Sequence, residues 1–148
     1  MPVILRRATA DDQPIIRRII RTAQLNPLNI HWPNFLIAED HKRVVGIGQV
    51  KPHRDGSREL ASIAVIPERQ KQGLGSLIIR ALLARERGPL FLLCVDTNET
   101  FYGRFGFRPV QVHALPPILR NTYRLGRIAT LLTSIVGRRI RLIAMNRL

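Results

Sequence analysis

The chain has 148 residues, 45% of them hydrophobic, and a formal net charge of +14 from 24 Lys and Arg against 10 Asp and Glu. This composition predicts a single globular domain over residues 1–148 and excludes a disordered tail. A membrane span is excluded because no apolar run reaches about eighteen residues, and the apolar stretch after Met1 is too short for a secretory signal. We therefore expect a cytoplasmic protein with no membrane partner. Because Cys94 is the single cysteine, an internal disulfide is excluded.

The first part of the chain predicts a short strand, a helix and an irregular loop. Residues 3–7 are typical of an edge strand, and Thr9 with Asp12 matches the capping box that begins many helices. Residues 15–23 then place isoleucines on one helical face and arginines on the other, so we expect this helix to lie on a sheet. Asn and Pro residues interrupt the pattern over residues 26–33 and predict a loop on the substrate side.

Residues 35–66 predict three antiparallel strands in succession. Residues 35–39 and 43–50 form the first two, with a hairpin turn between them, and residues 60–66 form the third. Gly46 and Gly48 weaken the second strand and indicate a bulge or a close approach of another part of the chain.

A strand, a turn and a helix follow one another over residues 60–85. Pro67 ends the apolar strand, and apolar residues recur at helical spacing from Leu74 onward. Between them, Gly73 and Gly75 allow a sharp turn and a close approach of their amides to a ligand. Since the first N–H groups of a helix have no internal acceptor and lie at the positive end of its dipole, we expect this turn to bind phosphate.

Three phosphate-binding motifs use such a turn, and spacing separates them. A P-loop needs a lysine directly after its last glycine, but Ser76 stands there, which excludes that motif. A Rossmann fingerprint needs a third small residue at Ile78 and a first glycine at the strand end, although Asp96 has the spacing of its ribose-binding acid. The third motif is Val-x-Pro-x-x-Gln/Arg-x-x-Gly-x-Gly/Ala. It is matched in full, by Val65, Pro67, Gln70, Gly73 and Gly75.

The chain after this motif predicts two strands and two helices. Residues 90–95 form an apolar strand that should lie parallel to residues 60–66, because strand-helix-strand crossovers are right-handed. A short helix then carries the aromatic residues of Phe-Tyr-Gly-Arg-Phe-Gly-Phe at residues 101–107. Residues 116–136 predict a helix with a basic stripe that Gly137 ends, and residues 139–145 a last strand.

The motif over residues 65–75 resembles the acetyl-coenzyme A site of the GNAT (Gcn5-related) N-acetyltransferase superfamily. Residues 101–107 are similar to the Phe-Tyr-x-x-x-Gly-Phe element that these enzymes carry later in the chain. The resemblance implies an α/β (α+β) fold with a central mixed, mostly antiparallel sheet of six to seven strands. That sheet would contain a splayed parallel pair and be flanked by about four helices. The long helix over residues 116–136 is not part of the family's common core.

The resemblance also implies an acyltransferase that moves an acetyl group from acetyl-CoA to a primary amine by direct attack in a ternary complex, without a metal. Main-chain groups at residues 64–66 would pair with the pantetheine arm, residues 70–76 would hold the pyrophosphate, and Lys71 would supply further charge. The implied coenzyme-binding residues are Ala64, Val65, Ile66, Gln70, Lys71, Gln72, Gly73, Leu74, Gly75, Ser76 and Asn98.

Two residues are implied in catalysis. Tyr102 matches the tyrosine that protonates the departing sulfur in many family members, and a phenol with a pKa near about ten holds its proton at neutral pH. Glu59, at the start of the strand before the motif, is the candidate general base, with His53 and His31 as weaker candidates. The segments that could border the acceptor pocket carry Trp32, Asn34, Gln49, Lys51 and Arg54, and they favour a polar or anionic acceptor.

The charge distribution keeps a second hypothesis open. All acidic residues precede Phe101, and the rest of the chain carries nine arginines. This asymmetry indicates an acidic acceptor, an acidic partner or an arginine-rich proteome. The alternative function is therefore a non-catalytic GNAT-like module whose arginine-rich C-terminal part binds nucleic acid or another acidic partner, although no aromatic stacking motif accompanies the arginines. The sequence leaves monomer and homodimer open.

Overall fold

The computed structural model of the protein describes residues 2–134 and 140–148. Its strands are β1 (Ile4–Arg7), β2 (Phe35–Asp40), β3 (Arg43–Pro52), β4 (Arg58–Val65), β5 (Leu90–Val95), β6 (Arg108–Val110) and β7 (Leu142–Arg147). Its α-helices are α1 (Gln13–Thr22), α2 (Leu74–Leu83), α3 (Glu99–Gly103) and α4 (Pro117–Ser134). Within these described ranges, no helix combines the length and the apolar character that crossing a bilayer requires.

The strands form one mixed sheet in the order β1-β2-β3-β4-β5-β7-β6. β2 lies antiparallel to β1 and β3, and β7 lies antiparallel to β5 and β6. β4 runs parallel to β5, with Glu59 opposite Phe91, as the crossover rule predicts. The predicted fold class is therefore confirmed, with seven strands, a parallel pair and, over the described residues, four α-helices.

The chain forms two compact units, residues 1–51 with 60–87 and residues 52–59 with 88–148. That residues 1–148 are one domain stays a prediction. In the first unit, α1 covers one face of the sheet, as its apolar face predicts. Its core cluster contains Ala8, Ile16, Ile19, Ile20, Phe35, Ile37, Ile47 and Ala64, all buried. This packing fixes the loop that follows α1 at the edge of the same core.

The start of α1 is held by a charged network around Arg6. The Arg6 guanidinium donates to the Glu39 carboxylate at 2.6 Å and to the Asp12 carboxylate at 2.7 Å, and the Thr9 N–H also donates to Asp12. The hydrogen bond from Arg6 lowers the pKa of the largely buried Asp12 to about 2. The predicted capping arrangement of Thr9 and Asp12 is thus confirmed, and it joins β1, β2 and α1.

The two glycines of β3 lie under α2. A Cβ atom on Gly48 would lie 2.7 Å from Ile63 Cδ1 and from Ile78 Cγ2, and one on Gly46 would lie 2.9 Å from Ile78 Cδ1. Ile78 itself is fully buried. The close approach that the sequence indicated at these glycines is therefore the seating of α2 on β3, which sets where α2 begins.

The second unit has its own core between α4 and the strands β5 and β7. Leu115, Leu119, Tyr123 and Ala144 are buried there, and the Tyr123 hydroxyl donates to the Leu142 carbonyl at 3.4 Å. Gly126 lies close to the same strand, because a Cβ there would be 2.7 Å from Leu142 Cδ2. The long helix after residue 116 is therefore an integral part of this unit.

Several element ends differ from the predicted ones. β4 ends at Val65 rather than Ile66, because the Ile66 N–H turns to the Val45 carbonyl as the chain enters the Pro67–Arg69 turn. α3 ends at Gly103, which leaves Phe105 in the following turn, and β6 was not predicted as a strand. The predicted helix end at Gly137 and strand start at Arg139 lie outside the described residues.

We expect Gly48→Val to destabilise the protein, since the added side chain must displace Ile63 and Ile78 from a packed interface. Overpacking of this kind costs about 1–3 kcal/mol of unfolding free energy, which urea denaturation measures. Gly88→Val is the matched control, because a Cβ at Gly88 meets no atom within 4 Å. Equal stability of the two variants would contradict the proposed seating of α2.

Candidate functional site

The turn between β4 and α2 leaves its backbone uncovered. Lys71 and Gly73 both have left-handed backbone conformations, with φ values of 62° and 81°. Gly73 is the N-cap residue of α2, so no side chain caps the helix there. Only glycine adopts this conformation without strain, which explains its presence at the helix entry.

The first amides of α2 face open space. Leu77 N–H donates to the Gly73 carbonyl and begins the helical ladder, so the N–H groups of Leu74, Gly75 and Ser76 precede it without a helical acceptor. A Cβ atom on Gly73 or Gly75 would meet no protein atom within 4 Å. The positive end of the helix dipole and these amides therefore form a place that an anion can reach.

The polar side chains of the turn are partly engaged within it. Gln70 Nε2 donates to the Val65 carbonyl at 3.1 Å, and Arg69 Nε donates to Gln72 Oε1 at 3.0 Å. Since the Ile66 N–H points to Val45, and peptide groups alternate along a strand, the main-chain groups of Val65 point away from β3. Ala64 is buried in the core below. Within 64–66, Val65 therefore offers the main-chain groups best placed for a ligand.

A concavity of about 320 Å³ lies beside this turn and was missed by sequence reasoning. It is lined by Val65, Ile66, Pro67 and Gln70 of the motif, by residues of α1 that include Arg18, and by Arg43 of β3. Arg18 and Thr22 stand one turn apart on α1, so helical spacing alone could have indicated a shared face. The motif thus borders a cavity with two basic side chains.

The loop over residues 23–34 is held to α1 by the half-buried side chain of Gln13 and to β3 by two buried polar side chains. Gln13 donates to the Ile30 carbonyl and accepts from the Trp32 N–H, at 2.9 and 3.0 Å. Lys51, only 4% exposed, donates from Nζ to the Leu28 carbonyl at 3.0 Å. Gln49 is fully buried and donates to Ser62 Oγ at 2.8 Å, while its Oε1 atom has no hydrogen-bond partner. Burying such groups is rare and marks a specific polar site.

The same loop lines a second cavity of the first unit, of about 560 Å³. Its lining includes Arg17 and Arg21 of α1, and Asn29 and His31 of the loop. The predicted acceptor residues Trp32 and Asn34 are half-buried next to it in the chain. Arg54 belongs to the second unit and is exposed. Of the side chains named for acceptor binding, Gln49 and Lys51 are brought together beneath the loop.

Tyr102 lies in α3 among aromatic rings. Its ring meets those of Phe101 and Phe107 edge to face, at centroid distances of 5.1 and 6.3 Å. Burial raises the pKa of Tyr102 to about 12. The phenol therefore keeps its proton at neutral pH and can only act as a donor of it there.

Cys94 lies in β5, where its Sγ atom is 3.9 Å from Met145 Sδ. Burial, together with the charges of Glu99 and Asp96, raises the pKa of the Cys94 thiol to about 12. Because the thiolate is the reactive form, this cysteine is chemically inert in the folded protein.

Glu59 is buried at the start of β4 and has a partner that the sequence did not indicate. His53 Nε2 lies 2.9 Å from Glu59 Oε1, and both side chains are less than a tenth exposed. The predicted base and one of the weaker histidine candidates thus form a pair. The other candidate, His31, is exposed in the first unit.

Three further features remain: the side chain of Asn98, the basic stripe of α4 and the possible metal ligands. Asn98 is the exposed N-cap residue of α3 and makes no side-chain capping bond. Arg124 and Arg127 of α4 are exposed, and Arg127 lies 6.0 Å from the Tyr123 ring centre. Across residues 2–134 and 140–148, no group of three or more His, Cys, Asp or Glu side chains is arranged to hold a metal ion.

Comparison with known proteins gives a consistent result. The family model for the acetyltransferase (GNAT) domain matches residues 31–109, more than half of the chain. The amino-acid acetyltransferases of two Neisseria meningitidis strains, Z2491 and MC58, are each 28% identical over 136 residues. These alignments cover 82% of this chain and 31% of each relative, so the chain spans about a third of the length of those relatives.

Solved structures of other proteins have a similar fold. N-acetylglutamate synthase from Neisseria gonorrhoeae, complexed with coenzyme A and L-arginine, is 26% identical with a TM-score of 0.75, covering 98% of this chain and 32% of that one. Its complex with coenzyme A and N-acetyl-glutamate has a TM-score of 0.76 at 24% identity, covering 99% and 35%. Rv2747 from Mycobacterium tuberculosis, in complex with CoA, has a TM-score of 0.71 at 22% identity and covers 98% of both chains.

Proposed function

Because this chain belongs to the acetyltransferase (GNAT) domain family, we propose that it transfers the acetyl group of acetyl-CoA to the α-amino group of an acidic amino acid. The observation that carries this proposal is the open turn at Gly73 and Gly75, where an added Cβ atom would meet no protein atom within 4 Å. A diphosphate fits the amides of this turn by charge and by hydrogen bonding.

The coenzyme is proposed to bind along the end of β4 and the start of α2. The amides of residues 73–76 receive the pyrophosphate, Lys71 adds positive charge, and the main-chain groups of Val65 pair with the pantetheine arm. The side chains of Gln70 and Gln72 are tied to the turn, so they shape it rather than reach far from it. Ala64 and Ile66 support the same strand end, and Asn98 is proposed to contact the coenzyme from the start of α3.

The reaction needs one proton acceptor and one proton donor. The amino group must lose a proton before its nitrogen attacks the thioester carbonyl, and Glu59 is proposed to take it, directly or through water. The tetrahedral intermediate then expels the thiolate of coenzyme A, and the nitrogen loses its second proton as the neutral amide forms; that proton replaces the one that Tyr102 gives up. Tyr102, protonated because its pKa is about 12, gives its proton to that sulfur.

The acidic amino acid is supported by two kinds of observation. The Neisseria relatives are amino-acid acetyltransferases, and one solved neighbour holds N-acetyl-glutamate. In this chain, the ammonium of Lys51 is buried beneath the loop over residues 23–34, and Arg17 and Arg21 line the adjoining cavity. A buried positive charge attracts a carboxylate more strongly than an exposed one, because the surrounding dielectric is lower.

The first test asks whether the turn binds the cofactor. Purified protein should bind acetyl-CoA and release CoA when L-glutamate is added, and Gly75→Val should weaken acetyl-CoA binding by about 10- to 100-fold, because the isopropyl group fills the space of the phosphate. Calorimetry measures the affinity and a thiol reagent measures the CoA. Gly88→Val, at an equally open glycine outside the motif, should bind normally. Unchanged binding by Gly75→Val would remove the turn from the coenzyme site.

The second test concerns the proton donor. Tyr102→Phe should lower kcat by about 100-fold, the usual scale of general acid catalysis, and leave the affinity for acetyl-CoA within about twofold. Tyr123→Phe is the matched control, since that hydroxyl bonds the Leu142 carbonyl within the core. If both variants lose the same activity, the phenol of Tyr102 has no special role.

The third test concerns the acceptor. Lys51→Met should reduce kcat/KM for L-glutamate by about 10- to 100-fold through the loss of a charge-assisted bond, with a much smaller effect on L-glutamine. Lys42→Met, at an exposed lysine of the β2–β3 turn, should change neither. A loss that is equal for both amino acids would show that Lys51 only supports the loop through Leu28.

A further inference from the structure

The pair formed by His53 and Glu59 combines burial with close contact. His53 Nε2 and Glu59 Oε1 are 2.9 Å apart, and the two side chains are 7% and 9% exposed. A carboxylate removed from water to this degree is costly unless donors satisfy it. The imidazole is such a donor, and it comes from a different part of the hairpin than the strand that carries Glu59.

The position of the imidazole is fixed by its own backbone. His53 N–H donates to the Ser57 carbonyl at 2.9 Å, and the His53 carbonyl accepts from the Gly56 N–H at 3.0 Å. Gly56 adopts the left-handed conformation that this tight turn requires, with φ of 84°. Asp55 accepts from the Ser57 N–H and from the Ile118 N–H at the start of α4. The turn that carries His53 is therefore anchored at several points.

We propose that His53 is a positioning residue for Glu59, donating its Nε2–H to Oε1 so that the carboxylate is held in one orientation with Oε2 left to receive the proton of the amine. This inference rests on the proposed function, in which Glu59 is the general base. His53 keeps its own proton throughout: one N–H bond of the ammonium breaks, one O–H bond forms on Glu59, and the amine lone pair becomes available for attack.

The geometry favours this role over a purely structural one. Replacing both partners of a buried hydrogen bond by apolar groups of the same shape is often nearly neutral for stability, so folding alone gives little reason to place this pair here. Bases that act in catalysis, in contrast, are oriented by a second group within hydrogen-bond distance. One hydrogen bond to Oε1 fixes the carboxylate plane and leaves the second oxygen for the substrate.

The experiment compares three variants at saturating acetyl-CoA and L-glutamate. His53→Leu removes the donor at similar volume and should lower kcat by about 10- to 100-fold, as a misoriented catalytic group does, while KM for acetyl-CoA stays within about twofold. His53→Gln keeps an N–H donor and should recover most of the loss. His113→Leu, at an exposed histidine of the same unit, should match the unmodified protein. Thermal unfolding shows that each variant is folded.

A second measurement does not depend on turnover. The ¹⁵N ring shifts of His53 should report an Nε2-protonated imidazole, and Glu59→Gln should change them while leaving His113 unaffected. Full kcat in His53→Leu, or an imidazole protonated on Nδ1 alone, overturns the inference. Failure of the proposed function has a different signature, because the unmodified protein then transfers no acetyl group to any amine, and the pair loses any catalytic role with it.

Discussion

The seating of α2 on the two glycines of β3 is the constraint on which the proposed coenzyme-binding turn depends. Ile78 of α2 occupies the space that side chains at positions 46 and 48 would fill. An α-helix rises about 1.5 Å per residue, so fixing Ile78 also fixes the amides of residues 74–76 within about one turn. A looser contact would let the open N-terminus of α2 drift relative to the end of β4. The glycines of the strand are therefore as important to the site as the glycines of the turn.

β3 has a second function, which its polar residues perform. Gln49 and Lys51 stand two residues apart near the end of the strand, on the same face, and both are buried. Their burial costs free energy, which the hydrogen bonds to Ser62 and to the Leu28 carbonyl offset. One strand thus holds α2 through its glycines and the loop over residues 23–34 through its polar side chains. In the first unit, the proposed coenzyme-binding turn and the proposed acceptor loop share this one support.

The sequence was sufficient to predict the elements that depend on a local pattern of residues. The strand, turn and helix around Val65 and Gly73 were predictable because periodicity, Pro67 and the glycine spacing all act over a few residues. β5 was predicted with its observed ends, since a six-residue apolar run bounded by Pro89 and Asp96 allows few alternatives. The roles proposed for Tyr102 and Asn98 came from the family resemblance, and they remain predictions.

Contacts between distant positions could not be read in the same way. The burial of Lys51 depends on where the loop after α1 folds, which no local pattern encodes. The pair of His53 and Glu59 depends on the turn geometry at Gly56, which brings two residues together across the hairpin. The cavity at Arg18 and Arg43 needs α1 and β3 in their final places. These features are tertiary, whereas sequence periodicity reports only which face of an element is buried.

The second unit holds both groups that the proposed reaction needs, the acid Tyr102 and the base Glu59. The two side chains have different surroundings. Burial among aromatic rings keeps the phenol of Tyr102 protonated, with a pKa of about 12, and so suited to donate to a thiolate. The imidazole of His53 lies 2.9 Å from the Glu59 carboxylate, which orients the proposed base by a hydrogen bond. After one turnover Glu59 holds the first proton of the amine, which must pass to solvent before the next, whereas the second proton of the nitrogen is available to the Tyr102 phenolate. Because the phenolate is strongly disfavoured in its apolar surroundings, reprotonation of Tyr102 is favourable and the acid is regenerated without a further catalytic group.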